Sequence, residues 1–350
     1  MTRRSTLPTI IAVLATLVAQ QLVAQETDEA TPTEAPVEGV DLRVYTGAGH
    51  ASSLADILSA MDGAEALLVG EEHDDLVGHG FQLQLLTGAV SRFEGANARR
   101  PRPVVLSLEM FESDVQYVLD EYLTDLISED HFLRSSRPWD DYEARYRAMV
   151  EFAKAHDLPV VAANAPRRYV NRVSREGPES LAELSERALA YLPPLPFPGP
   201  SDAYRAEWDA LMEEAMAEML AAAAADDATP TDGSAEEADE PTDDTPPHRP
   251  NTNAIYSQAL WDAAMGHAIT SALEEHRGSL VIHLAGSFHV ANGTGIPERI
   301  RDYRPEARFV TVVMVAVDDV NSWDPDEHDG QGDFVVLTKK PASTADSPTS

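Results

Sequence analysis

Two motifs in this chain place a histidine three residues after a glycine, and each motif follows an apolar run. The first is Gly70-Glu71-Glu72-His73 after residues 66–69, and the second is Gly286-Ser287-Phe288-His289 after residues 280–285. A third apolar run, residues 104–108, ends in Glu109. Imidazole and carboxylate groups bind zinc, manganese, iron or cobalt. These residues therefore predict a divalent metal site formed by His73, Glu109 and His289.

The two glutamates beside His73 extend this hypothesis toward catalysis. A metal with an open position lowers the pKa of its bound water. Glu71 or Glu72 could be a further ligand, and a spare glutamate could act as general base, which would make the protein a hydrolase. The alternative is that these acids only cap helices, since an acid after a strand lies at a helix N-terminus. Three strands that end in the same way favour a site.

The apolar runs that precede these residues predict buried strands, each bounded by a turn or polar residue. The carboxyl ends of such strands are where open α/β sheets bind ligands. Segments with apolar residues at helical spacing separate the strands, so we predict an α/β fold with a parallel-type sheet flanked by helices. Residues 178–276 show no strand pattern and predict a small helical subdomain inserted in this frame.

Composition excludes several classes of function. The chain has 350 residues with 60 acidic and 26 basic side chains, a formal charge of −34. Nucleic acid is excluded as a partner because phosphate binding needs a basic surface. There are no cysteines, so thiolate ligands, disulfides and a lipid anchor on cysteine are excluded as well.

Segments at the two ends and in the middle of the chain predict processing and disorder. Residues 1–24 resemble a secretory signal peptide, with Arg3 and Arg4 before an apolar stretch that is short for a transmembrane helix; the alternative is an uncleaved anchor. We therefore expect a periplasmic or secreted protein without stable membrane insertion after cleavage. Around a folded domain at 46–340, composition predicts disorder for a leader at 25–45, an acidic insert at 221–250 and a tail at 341–350.

Aromatic and cationic side chains in the middle of the chain suggest a second kind of site. Tyr142 and Tyr146 could bind haem iron through a phenolate. Aromatic residues at helical spacing are also typical of a core. Arg167 and Arg168 follow a predicted strand and could pair with haem propionates, although the same pair would suit a solvated loop.

An ordered set of these motifs resembles the ChaN-like haem-binding uptake family of the Tiki/TraB superfamily. The resemblance covers roughly residues 60–315. The matching segments are Gly70-Glu71-Glu72-His73-Asp74, Leu108-Glu109-Met110-Phe111 with Gln116, Trp139-x-x-Tyr142, Ala163-Asn164-Ala165-Pro166-Arg167, Gln258-Ala259-Leu260-Trp261-Asp262-x-x-Met265, and Ala285-Gly286-Ser287-Phe288-His289 through Gly295-Ile296-Pro297.

The resemblance implies haem binding linked to iron uptake, with paired haems at a homodimer interface and a tyrosine as iron ligand. Tyr142 is the first choice for that ligand. The Tiki branch contains metal-dependent proteases with two Gly-x-x-His motifs and a glutamate, which implies a metallohydrolase as the alternative, with manganese, zinc or cobalt. The chain departs from the pattern in having no lipobox cysteine and in carrying the acidic insert, which could alter a dimer contact.

Overall fold

A computed structural model of the chain describes residues 35–96, 98–227 and 253–341. The predicted signal peptide lies outside these residues, as do residues 25–34 of the predicted leader and residues 342–350 of the predicted tail. Most of the predicted acidic insert at 221–250 lies outside them too.

Seven strands form one sheet in the described part of the chain. They are β1 (Leu42–Thr46), β2 (Ala66–Glu71), β3 (Val104–Glu112), β4 (Val160–Asn164), β5 (Leu280–Gly286), β6 (Phe309–Val317) and β7 (Phe334–Lys339). Their order is β1-β7-β6-β2-β5-β3-β4, and every neighbouring pair is parallel except β1 with β7. The predicted α/β class with a parallel-type sheet is confirmed, with one antiparallel edge strand added.

Helices cover both faces of the sheet. They are α1 (Leu54–Ala60), α2 (Leu76–Phe93), α3 (Gln116–Leu123), α4 (Glu129–Ser136), α5 (Tyr142–Arg145), α6 (Arg147–Ala155), α7 (Arg167–Glu176), α8 (Glu186–Leu189), α9 (Asp202–Asp227), α10 (Ala254–Glu275), α11 (Ile296–Tyr303) and α12 (Pro325–His328). Helices α1 to α6 contribute to the core on one face, and α10 and α11 contribute to the core on the other.

The inner strands are apolar on both faces, which explains their continuous apolar runs. Leu67 and Val69 of β2 belong to the core beneath α1–α6, whereas Ala66 and Leu68 belong to the core beneath α10 and α11. Successive side chains of a strand point to opposite faces, so a sheet with helices on both sides favours apolar residues on both faces. Buried exceptions such as Ser107 and His283 pair with each other, with Oγ and Nδ1 2.9 Å apart.

The predicted helical subdomain at 178–276 is only partly separate from the sheet. Its first part packs with α7 and the start of α10 around a core of its own. The rest of α10 lies on the sheet, where Met265, Ile269 and Leu273 pack against strand residues. These residues recur at helical spacing and form one apolar stripe, and burying that stripe requires the sheet as its partner.

Two predicted boundaries also differ from the structure. Strand β1 begins at Leu42, inside the predicted leader at 25–45, because Leu42 and Val44 alternate into the core. Helix α9 continues to Asp227, so the first residues of the predicted insert are helical, as a run of alanines favours. Among the described residues, no helix is long and apolar enough to cross a membrane.

Candidate functional site

The three residues predicted to bind a metal lie near the carboxyl ends of strands that are side by side: His73 and His289 follow β2 and β5, whereas Glu109 lies within β3, which continues to Glu112. Strand β5 lies between β2 and β3, with Glu71 opposite Gly286 and Leu108 opposite Leu284. The strands are parallel, so their carboxyl ends meet at one edge of the sheet. His73, Glu109 and His289 are therefore brought to the same place by chain segments far apart in sequence.

Gly286 lies at the centre of this cluster and makes the close approach possible. A Cβ atom at this position would lie 3.1 Å from both Cε1 and Nε2 of His73 and 3.8 Å from Cδ2 of His289. The Gly286 N–H donates to Oε2 of Glu109 at 2.8 Å, and Oε1 of Glu109 lies 3.8 Å from Nε2 of His289. A side chain at this position would fill the space between the two rings.

His73 is oriented by the buried carboxylate of Glu71. Its Nδ1 lies 3.0 Å from Oε1 of Glu71, and 45% of its side chain is exposed. The hydrogen bond to Glu71 raises the pKa of His73, although partial burial acts in the opposite direction. The half-exposed ring is thus held at Nδ1, and its second nitrogen, Nε2, can make a separate interaction.

Glu71 is itself fixed by several donors. The Tyr146 hydroxyl donates to Oε1 at 2.7 Å, and the Gln82 amide donates to Oε2 through a short hydrogen bond. Burial alone would raise the pKa of the Glu71 carboxyl, but the hydrogen bonds from His73, Tyr146 and Gln82 and the nearby His79 ring lower it below its ordinary value. Glu71 is therefore held as a carboxylate whose role is to position His73.

His289 has a comparable carboxylate partner, which the sequence analysis missed. Its Nδ1 lies 2.7 Å from Oδ1 of Asp262 on α10, and both side chains are buried. Burial alone would lower the pKa of His289, but the charges of Asp262 and Glu109 raise it to about 9. Asp262 stands within the Trp261-Asp262 motif, yet only the fold places it against His289.

A cleft of about 300 Å³ opens beside this cluster, and we call it the tryptophan cleft. Its lining includes Glu109, Arg137, Trp139, Asn164, Arg167 and Trp261. The His73 ring meets the Trp139 ring edge-on, with centroids 4.8 Å apart. The cleft therefore combines two indole rings, two guanidinium groups and the carboxylates of Glu109, Glu112 and Asp140, and the half-exposed His73 ring lies beside one of the indoles.

The two arginines predicted to bind propionates differ in their availability. Arg168 forms an ion pair with Asp114 at 2.5 Å, and Arg137 pairs with the same carboxylate. Arg167 is exposed, lines the tryptophan cleft and has no ion pair with any described residue. Arg167 is therefore the cation that an anionic group in the cleft would meet without competition.

Tyr142, predicted as an iron ligand, does not fit that role in this structure. It is buried between Phe111 and Phe132, with ring centroids 6.0 and 5.9 Å away. Burial raises the pKa of its hydroxyl, and no described residue hydrogen bonds to it. A tyrosine that binds iron must be accessible and must lose its hydroxyl proton. Burial of Tyr142 prevents the access and disfavours the deprotonation.

The fold brings the three predicted metal ligands to one edge of the sheet, but not into an arrangement that would hold a metal ion. Across residues 35–96, 98–227 and 253–341, no group of three or more His, Asp or Glu side chains is placed so that it could hold a metal ion. The two predicted catalytic acids are also engaged: Glu71 binds the donors described above, and Glu72 accepts the Ala316 N–H at 2.8 Å. A divalent metal at His73, Glu109 and His289 therefore stays a prediction.

Comparison with solved structures identifies chains of similar fold. A ChaN protein of Campylobacter jejuni, whose structure is described as cofacial heme binding, is 16% identical with a TM-score of 0.58, over 87% of this chain and 100% of that one. Two further structures are more distant: a Bacillus cereus protein (12% identical, TM-score 0.43, over 85% of this chain and 95% of that one) and the type III effector HopBA1 (11% identical, TM-score 0.40, over 82% and 94%). No curated protein matches the chain.

A protein-family comparison covers more than half of the chain. The family described as haem-binding uptake, Tiki superfamily, ChaN, matches residues 57–300. The match includes both Gly-x-x-His motifs, Glu109, the tryptophan cleft and Asp262. The chain therefore belongs to the ChaN family of haem-binding uptake proteins in the Tiki superfamily.

Proposed function

We propose that this chain is an exported haem-binding protein that serves haem and iron acquisition, and that haem binds in the tryptophan cleft. The observation that carries the proposal is the composition of the cleft. A haem is a flat apolar ring system with two carboxylates at one edge. Trp139 and Trp261 offer apolar surfaces to such a ring, and Arg167 offers an unpaired guanidinium to a propionate.

The size of the cleft supports a shared site. A volume of about 300 Å³ is at the lower end of the roughly 300–1,000 Å³ found for small-ligand pockets, so one chain would leave part of a haem exposed. The C. jejuni relative is described as binding haem cofacially. We therefore propose a homodimer in which a second chain covers the open side. Export rests on the predicted signal peptide, and a periplasmic or secreted location follows from it.

Titration with hemin tests the binding function. The purified protein should show a Soret shift that saturates at a defined ratio of hemin to chain. Trp139→Ala and Arg167→Ala should each weaken the affinity at least tenfold, because each removes a feature of the cleft. Arg134→Ala is the matched control: this arginine is exposed, and its ion pair among the described residues is with Asp130 on its own helix. Unsaturable binding, or equal affinity in all four proteins, would refute the proposal.

Sedimentation with and without hemin tests the shared site. A dimer that forms or tightens at one hemin per chain supports it. A monomer at saturating hemin would show that one chain suffices.

A metal-dependent hydrolase is the second candidate, favoured by one observation. Both His73 and His289 carry a buried carboxylate on Nδ1, an arrangement typical of metal-binding histidines. Elemental analysis of protein purified without chelator tests it. Stoichiometric manganese, zinc or cobalt that is lost in His289→Ala would support this candidate, and protein free of metal would leave haem binding as the function.

A further inference from the structure

We infer that the N-terminal end of helix α7, together with the side chains of Asn164 and Arg167, forms a subsite for a carboxylate group within the tryptophan cleft. The inference rests on the proposed haem-binding function and assigns the place where one haem propionate binds. Three kinds of polar group carry it: a buried side-chain amide, the backbone N–H groups of a helix N-terminus and a guanidinium group.

Asn164 gives the cleft a hydrogen-bond donor with a fixed direction. It is the last residue of β4, it lines the cleft, and only 6% of its surface is exposed. Its Oδ1 accepts the Ala165 N–H at 2.8 Å, which fixes the orientation of the side-chain amide. No described residue accepts a hydrogen bond from its Nδ2, and this atom is not sealed in the interior. An acceptor on a ligand in the cleft would therefore satisfy a buried residue's remaining donor.

The first turn of helix α7 adds backbone donors beside this amide. The helix begins at Arg167, and the residue before it, Pro166, makes no side-chain cap. Within the described part of the chain, the N–H groups of Arg167 and Arg168 have no acceptor, and the next one, that of Tyr169, donates to the Pro166 carbonyl. Ala165 and Arg167 both line the cleft, so this end of the helix opens to it. Unpaired N–H groups at a helix N-terminus favour a bound anion.

The Arg167 guanidinium completes the subsite, because the acids that line the same cleft do not neutralise it. Glu112 forms an ion pair with Arg137 at 2.9 Å, and Glu109 is bound to a backbone N–H of β5. Asp140 is exposed on the Trp139 side of the cleft. A carboxylate, with two oxygens in one plane, suits a guanidinium and an amide donor together. The anionic groups of haem are carboxylates, so a propionate is the group that this subsite would bind.

Hemin and its dimethyl ester separate the role of the carboxylates from that of the ring system. The ester keeps the iron and the macrocycle but carries no anionic oxygen. In Soret titrations under identical solvent conditions, the wild type should bind hemin roughly tenfold or more tighter than the ester, as expected for the loss of a hydrogen bond to a charged group. Equal affinity for the two ligands would overturn the inference.

The variant Asn164→Asp tests the buried donor. It keeps an oxygen for the Ala165 N–H but replaces the Nδ2 donor with a carboxylate oxygen that repels a propionate. The affinity for hemin should fall roughly tenfold or more, while the affinity for the ester stays unchanged. Asn321→Asp is the matched control, because it adds the same charge at an exposed residue that does not line the cleft. An equal loss for both ligands in Asn164→Asp would show that Asn164 acts only through the structure, which overturns its assignment.

Arg167→Gln keeps the inference testable if Asn164→Asp does not fold, since Arg167 is exposed and its replacement is compatible with folding. This variant should also lose affinity for hemin and keep its affinity for the ester. Unchanged selectivity for hemin over the ester in Arg167→Gln would refute the subsite.

Failure of the subsite and failure of the proposed function give different results. If hemin and its ester bind saturably and with equal affinity, the subsite is wrong while haem binding stands. If neither ligand binds saturably to the wild type, the proposed function itself fails, and the inference fails with it.

Discussion

The pair formed by Asp262 and His289 allows a quantitative prediction about stability and pH. Both side chains are buried, their atoms Oδ1 and Nδ1 are 2.7 Å apart, and Glu109 lies 3.8 Å from the other ring nitrogen. These two acids outweigh burial and raise the pKa of His289 from 6.5 to about 9. The substitution Asp262→Asn removes the nearer charge but keeps an oxygen that can accept a hydrogen bond from Nδ1–H.

The size and direction of the effect follow from proton linkage. A difference between a pKa of 6.5 in the unfolded chain and about 9 in the folded one corresponds to about 3 kcal/mol. Because the folded value is the higher one, this stabilisation is fully present below pH 6.5 and is lost as the pH rises through about 9. Asp262→Asn removes the larger of the two charges that raise this pKa, so it should cost most of this stabilisation, on the order of 2–3 kcal/mol, at low pH and much less at high pH.

Urea unfolding of the ligand-free protein at several pH values provides the test. The difference in unfolding free energy between wild type and Asp262→Asn should be largest near pH 6 and should shrink across the range in which His289 loses its proton. Asp130→Asn changes an exposed acid whose ion pair, within the described part of the chain, is with Arg134, and it should show no such trend. A difference that is the same at low and high pH would show that Asp262 does not stabilise a charged His289.

Two further substitutions test the cluster and the core. Gly286→Ala should lower the unfolding free energy by about 1–3 kcal/mol and weaken hemin binding, because the new methyl group would lie 3.1 Å from the His73 ring. Gly63→Ala is the control, because no described atom lies within 4 Å of the added methyl group there. Thermal denaturation and hemin titration compare the two variants. Tyr142→Phe should change the unfolding free energy by less than about 1 kcal/mol and leave the Soret band unchanged, because its buried hydroxyl has no partner among the described residues. A clear change of the Soret band in that variant would show that Tyr142 binds the iron.

The residues at the strand ends could be predicted because local sequence defines a strand end. His73, Glu109 and His289 each follow an apolar run closely, and the carboxyl ends of parallel neighbours share one edge. The chain order of motifs also sufficed to indicate the family. What the sequence could not supply was the order of the strands, which places β5 between β2 and β3.

The partners of these residues could not be predicted, because they depend on how helices pack. Asp262 lies on a helix whose apolar stripe faces the sheet, and in the sequence it resembles any polar helical residue. Tyr142, in contrast, was predicted as a site residue but belongs to the core, because the sequence pattern of a tyrosine fits both roles. Only the positions of Phe111 and Phe132 decide between the two.

The central place of β5 in the sheet has a consequence for how the chain folds. This strand is made late, at Leu280–Gly286, yet it separates β2 from β3, which are made early. Long-range pairing of this kind is slow, because a large loop must close before the contacts stabilise it. We therefore expect a nascent chain without β5 to stay unfolded. If the protein is exported as proposed, that delay would keep the chain extended long enough to pass through a membrane channel before the sheet closes.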